Sequence, residues 1–128
     1  MDMEQQIKDA GADLAPRVTP AAIEDAIASE HYFTAAEGVE GHAEHTIEGD
    51  WIAPDPLHLL TFCVLVLRNG FTVTGESACA SPENFDAEIG RQIARQNAVA
   101  KLWPLLGYEL RSKLHAVETA VEPDPGDD

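Results

Sequence analysis

The sequence has few of the residues on which secreted mini-proteins and membrane proteins depend. Its 128 residues include two cysteines, Cys63 and Cys79, too few for a disulfide framework. No apolar run approaches the length of a membrane span, and no basic, apolar leader is visible. We therefore expect a cytoplasmic location. Aromatic residues make up only 6%, so the core must be largely aliphatic and alanine-rich.

The sequence also lacks recognisable catalytic motifs. GxxxxGK[ST], GxGxxG, HExxH and GxSxG are all absent. His42 and His45 stand in a glycine-flanked stretch without other obvious ligands, which favours an exposed loop over a metal site. Asp86 and Glu88 lie near the start of a predicted helix, where acids complement the helix dipole. We predict a non-enzymatic protein without metal or cofactor.

Positive charge is scarce: eight basic residues against 23 acidic ones give a net charge of -15. Such a surface repels DNA and anionic membranes. Thirteen of the acids fall in residues 1–67, whereas residues 68–113 hold six of the eight bases and five acids. Two interpretations stay open for this near-neutral module: general solubility, or a cationic site confined to one place.

The strongest structural pattern predicts an antiparallel hairpin over about 58–78. An almost continuous apolar run is followed by Asn69 and Gly70, the pair favoured by a two-residue type I′ turn, and then by an alternating strand. Threonine or serine before proline predicts helices over about 20–30 and 82–103. The expected fold class is α+β, a small antiparallel sheet packed against these helices.

The remaining segments complete one predicted domain over residues 1–117. Glycine, proline and acids predict a flexible insertion at about 35–56. Pro104 is expected to end the second helix, and Gly107 to form a turn before a further short helix or strand. Residues 118–128 have the composition of a disordered acidic tail.

Several residues of the near-neutral module suit an anionic, nucleotide-sized ligand. Arginine recognises phosphate through paired hydrogen bonds, and an aromatic ring beside it suits a stacked base. Asn97 continues a predicted apolar stripe, which leaves two interpretations: a structural amide bonded to backbone, or an amide that reads a purine edge. Taken singly, each of these residues fits core or solvated surface as well. The residues are Arg68, Phe71, Phe85, Arg91, Arg95, Asn97, Trp103 and Arg111.

A longer motif string resembles a family of small tailed-phage proteins. It comprises NGFTVTGESA from Asn69, NFDAEIG from Asn84, then Asn97-Ala, Leu102-Trp103 and Gly107-Tyr108. An RVTP opening from Arg17 also fits. The resemblance covers about two-thirds of the chain and leaves out the 35–56 segment and the tail.

This family includes the type I Thoeris anti-defence proteins. The resemblance implies a sponge in the host cytoplasm that captures a cyclic ADP-ribose signal without cleaving it. It implies a homodimer or trimer of dimers, with the signal bound between two protomers. In some members cyclic di- or trinucleotides occupy a separate site. The implied ligand-binding residues are Phe85, Asn97 and Arg111, followed by Arg68, Phe71, Asn84 and Arg91.

Two other functions compete with the sponge. An acidic phage protein can instead imitate DNA and bind a host nuclease or defence protein directly. A small hydrolase of the same signal would need a positioned acid and base, and the sequence offers no clear pair.

Overall fold

A computed structural model describes residues 2–12, 14–46 and 52–121. It confirms the predicted α+β class, with three antiparallel strands and their hairpin packed against helices. No helix among these residues is long and apolar enough to cross a membrane. In chain order the helices and strands are α1 (Met3–Asp9), α2 (Pro20–Ala26), β1 (Ile27–Thr34), α3 (Ala35–Thr46), β2 (Leu60–Leu67), β3 (Thr72–Ala78), α4 (Ala87–Ala100) and α5 (Leu102–Val121).

The three strands lie in the order β1-β2-β3, so β2 is central and the other two strands form the edges. Burial alternates along β2, as the two-residue strand period requires. Its fully buried side chains, Cys63 and Leu65, face the core. The pairing of β1 with β2 shifts register between Ile27 and Ser29, which places a β-bulge at Ala28.

The hairpin forms where predicted, but its turn type is different. Of the turn residues Asn69 and Gly70, only Gly70 has a positive φ, of 89°, whereas a type I′ turn needs positive φ at both central residues. The Gly70 amide donates to the Leu67 carbonyl at 2.9 Å, and the Leu67 amide donates to Phe71 at 2.8 Å. These bonds close a three-residue loop. The Asn69 side chain accepts from the Phe71 amide at 3.0 Å, which favours this wider turn.

Helix α4 packs directly on the sheet because three small residues let the backbones approach. Ala94 and Ala98 are fully buried, and they lie over Gly75 of β3. A Cβ atom at Gly75 would come within 2.8 Å of the Ala98 Cα. Leu65 and Leu102 complete the centre of this core.

A chain of polar groups ties α4 to the opposite edge of the fold. Arg95 donates to Glu30 of β1 at 2.9 Å and to Glu24 of α2 at 2.7 Å. The Tyr32 hydroxyl donates to Glu30 at 3.1 Å and lies over the buried thiol of Cys63. This cluster fixes where α2, β1 and α4 meet.

The two predicted helices differ from their expected bounds. Helix α2 ends at Ala26, because the β-branched Ile27 begins β1. Ser81 and Pro82 open a short 3-10 turn, and α4 begins only after Asp86, whose carboxylate caps it by accepting from the Ile89 amide at 3.0 Å.

Helix α5 runs through the expected breaks at Pro104 and Gly107. Proline lacks an amide hydrogen, but the amides of a first turn have no acceptor carbonyl within the helix. Pro104 therefore does not end the helix. The predicted insertion contains α3, which packs its alanines Ala36 and Ala43 inward. Helix α5 also takes in the first residues of the predicted tail, whose remainder lies outside the described residues.

Candidate functional site

A groove beside Phe85 holds the best-formed group of predicted ligand-binding residues. It has a volume of about 280 Å³ and lies between the end of β3 and the first turns of α4. We call it the Phe85 groove. Its lining residues are Ser77, Ala78, Cys79, Ala80, Asn84, Phe85, Asp86, Ile89, Gly90 and Ile93.

Local bonding holds the segment that carries Phe85. The Phe85 amide donates to the Pro82 carbonyl at 3.2 Å, and the Asn84 amide donates to Ser81 at 3.0 Å. The Cys79 thiol donates to the Ser81 carbonyl at 3.2 Å. These bonds form a tight turn that presents the half-buried Phe85 ring at the start of α4.

Gly90 explains how the ring fits. A Cβ atom at Gly90 would lie 3.1 Å from the Thr61 hydroxyl and 3.8 Å from the Phe85 ring. The missing side chain lets α4 approach β2 and lets the ring settle against the helix.

A second, smaller hollow of about 190 Å³ lies on the other side of Phe85. Arg91 lines this hollow, and its guanidinium donates to Glu88 at 2.8 Å. The Phe85 ring thus separates two hollows, one with a largely small-residue lining and one that carries a cation. The other residues of the second hollow are Tyr32, Phe33, Thr34, Glu37, Thr61 and Ala87.

The charge around Arg91 is already balanced by an acid. The Arg91 hydrogen bond holds the pKa of the Glu88 carboxyl below its usual range. Both side chains are exposed, so their ion pair contributes little to stability and exchanges readily with other partners. An anion that reaches this hollow must displace Glu88 from Arg91.

The structure brings three predicted residues together and separates the others. Phe85 and Asn84 share the Phe85 groove, and Arg91 lies in the adjoining hollow. Asn97 follows Ile93 by one turn of α4, and its amide donates to the Glu76 carbonyl at 2.7 Å. This contact is the one expected of a structural amide that bonds to the backbone.

The remaining predicted residues lie elsewhere on the molecule. Arg68 and Phe71 flank the hairpin turn, at the end of the sheet opposite the groove. The Arg68 guanidinium donates to the Asp25 carbonyl. Arg111 is on α5, pairs with Glu118 at 2.7 Å, and lines neither hollow beside Phe85.

Sequence reasoning missed the groove residues Ile89 and Ile93. Their four-residue spacing predicts a buried stripe, yet they are 54% and 41% exposed. The buried stripe of α4 is Gly90, Ala94 and Ala98, one position further along. Small residues at that spacing were the available signal, because they mark the face that approaches a sheet most closely.

Acidic side chains do not gather into a metal site in the part of the chain that the structure describes. Within residues 2–12, 14–46 and 52–121, no group of three or more histidine, cysteine or acidic side chains is placed to hold a metal ion.

Comparison with known proteins gives one match. The family model described as "Phage protein (N4 Gp49/phage Sf6 gene 66) family" matches residues 18–114, which include the whole sheet, α4 and the Phe85 groove. No curated protein and no solved structure matches the chain significantly.

Proposed function

We propose that this chain, which belongs to the N4 Gp49/phage Sf6 gene 66 family of phage proteins, sequesters a cyclic nucleotide signal of host immunity. The proposed signal is a cyclic ADP-ribose isomer, held without cleavage in the host cytoplasm so that a Thoeris-type effector is never activated. The motif string from Asn69 to Tyr108, which resembles the type I Thoeris anti-defence proteins, supports this choice.

The observation that carries the proposal is the position of the Phe85 ring between two hollows. A planar base can stack on an aromatic ring, and such stacking tolerates different bases because each presents a flat face. Asn84 lies at the same groove and offers both a donor and an acceptor to a base edge. These features support a ligand with a flat heterocycle.

Arg91 supports the anionic part of the ligand. It lies in the hollow on the far side of Phe85 and can exchange Glu88 for a phosphate. A guanidinium binds phosphate through parallel hydrogen bonds, which the single Glu88 contact at 2.8 Å does not fully use. Phe85 lines both the groove and the hollow that carries Arg91, so a ligand stacked on this ring has a cation nearby.

We further propose that the working unit is a homodimer or a trimer of dimers. Large apolar side chains on the surface support this, among them Tyr108 at 78% exposure. In such an assembly Arg111 and Asn97 would reach the ligand from a second copy of the chain. A separate site for cyclic di- or trinucleotides belongs to the same proposal.

The test compares two phenylalanines at opposite ends of the sheet. Phe85→Ala should weaken binding of cyclic ADP-ribose isomers about tenfold or more, since a stacked base contributes roughly 1–3 kcal/mol. Phe71→Ala is the matched control, because Phe71 is an exposed aromatic at the hairpin turn. Calorimetric titration gives the affinities, and a thermal melt of each variant shows whether the fold is intact.

Recovery of the ligand separates the alternatives. Heat-denaturing the complex should release the nucleotide unchanged. Release of a cleaved product would favour the hydrolase. If the wild-type protein binds no nucleotide, the proposal fails, and the acidic inhibitor of a host nuclease or defence protein replaces it.

A further inference from the structure

A third cavity, of about 560 Å³, lies between the N-terminal helix and the start of α5. It is larger than either hollow beside Phe85, and its size falls within the range of small-molecule sites. We call it the Trp103 cavity. Its lining residues are Asp2, Met3, Glu4, Ile7, Arg17, Val18, Pro20 and Trp103.

The floor of the Trp103 cavity is fixed to the core. Trp103 follows Leu102, which is fully buried, and Val18 packs against the same core cluster. The Trp103 side chain nevertheless remains 40% exposed. A flat, partly exposed indole surface therefore lies beside a space that protein atoms do not fill.

Helix α1 covers the other side of the Trp103 cavity, and it is held more loosely than Trp103 and Val18. No residue of α1 is buried, although Met3 and Ile7 line the cavity. A bidentate ion pair joins the helix to the body, with Arg17 donating to the two Glu4 oxygens at 3.0 and 2.6 Å. Helix α1 also lies outside residues 18–114, so the family match does not include this helix.

Charge at the cavity mouth selects against anions. The Arg17 hydrogen bond holds the pKa of the Glu4 carboxyl below its usual range, so Glu4 stays ionised and occupies the guanidinium. Asp2 adds a second carboxylate beside it, and the whole chain carries a net charge of -15. An anionic ligand would meet repulsion here without a free cation to bind.

We propose that the Trp103 cavity is a second binding site, which takes an uncharged, flat, apolar small molecule under the helix α1. The indole supplies a stacking surface, while Ile7, Met3 and Val18 supply apolar walls. The Glu4–Arg17 ion pair closes the helix over the ligand. This site is separate from the Phe85 groove and does not depend on the proposed function.

Two dyes with one skeleton test the proposal. N-phenyl-1-naphthylamine is uncharged, and 8-anilinonaphthalene-1-sulfonate adds a sulfonate to the same rings. The uncharged dye should bind saturably with one site per chain, and the sulfonate at least tenfold more weakly. In a Trp51→Phe background, where Trp103 is the only tryptophan, bound dye should quench the tryptophan emission by energy transfer.

Matched variants locate the site. Trp103→Ala should weaken binding of the uncharged dye about tenfold, which is near the upper end for a lost aromatic contact. Tyr108→Ala removes another exposed aromatic of α5 outside the cavity and should leave binding unchanged. Glu4→Gln should narrow the difference in affinity between the two dyes, because it removes a carboxylate charge that repels the sulfonate.

Three results would overturn the site: no saturable binding of the uncharged dye, equal affinity for both dyes, or loss of binding in Tyr108→Ala with Trp103→Ala unaffected. A melt of each variant guards against misfolding. Trp103 is partly exposed, so Trp103→Ala should still fold. If this folded variant binds the uncharged dye as tightly as wild type, the proposal fails.

Discussion

At the scale of single residues, the half-buried Tyr32 links the ionisation of a hydroxyl to the stability of the fold. Burial, together with the nearby Cys63 and the Glu30 carboxylate, raises the pKa of Tyr32 to about 12. The Arg95 hydrogen bond lowers the pKa of Glu30 in turn. The neutral phenol and the ionised carboxylate are therefore the forms that the folded cluster holds.

This arrangement predicts a loss of stability at alkaline pH. The unfolded phenol releases its proton near the ordinary value of 10.0, while the folded one keeps it up to about 12. Between these values the folded state binds more protons than the unfolded state, so the free energy of unfolding falls as pH rises. Below pH 10 the contribution of Tyr32 to stability is fully present. Urea unfolding at intervals across this window should show the fall in wild type.

Tyr32→Phe serves as the control for that series. It removes the phenolic proton but keeps the ring, so its free energy of unfolding should decline less than that of wild type over the same pH window. Tyr108→Phe alters the other tyrosine, which is exposed, and should follow wild type. Parallel curves for Tyr32→Phe and wild type would contradict the role given to Tyr32.

The exposure and the neighbours of single side chains were the hardest features to predict from the sequence. The pattern correctly placed Asn97 on a line with Ile89 and Ile93, but both isoleucines are exposed, because the smaller residues of α4 face the sheet. Arg68 and Phe71 were grouped with the other candidate residues by their chemistry and by the resemblance, yet they lie at the end of the sheet opposite the Phe85 groove. Spatial neighbours across a sheet depend on pairing, which the sequence does not state directly.

At the scale of elements, α4 and β3 meet at a contact that leaves no space for a side chain. Gly75→Ala should destabilise the protein by about 3 kcal/mol, the upper range for overpacking, because the atoms it meets are the backbone of Ala94 and Ala98. Chemical denaturation gives this value. An effect below about 1 kcal/mol would mean that α4 can move away from β3.

Gly107→Ala is the matched substitution in open space. A Cβ atom at Gly107 meets nothing within 4 Å, and the residue lies inside α5. Alanine should therefore stabilise the protein by about 1 kcal/mol. If Gly107 instead formed the turn that the sequence predicts, alanine would give no such gain.

Elements with a strong local signal were predictable, and those with mixed signals were not. The β2–β3 hairpin and the Thr19 cap of α2 follow directly from their residues. Helix α5 did not, since Pro104 and Gly107 are usual helix breakers. Proline is harmless in the first turn, and a single glycine costs less than the twenty-residue helix gains.

At the scale of the whole molecule, exposed apolar side chains predict self-association. Leu105 and Tyr108 lie one turn apart on the surface of α5, where a second copy would cover them. Light scattering at micromolar concentration should therefore give at least twice the chain mass of 13.8 kDa. Tyr108→Glu is expected to shift the mass toward one chain. A wild-type mass of one chain would exclude the proposed dimer.

The bulge at Ala28 affects the concentration at which this protein can stay dispersed in a cell. Strand β1 is an edge, and a regular edge strand invites unlimited pairing with other chains. The bulge interrupts that row of amides and carbonyls, and the exposed Glu30 and His31 follow it in the strand. A protein that captures its ligand without turnover acts only in proportion to its copy number. Under the proposed function, the irregular β1 edge therefore helps the sponge to stay dispersed at a high copy number.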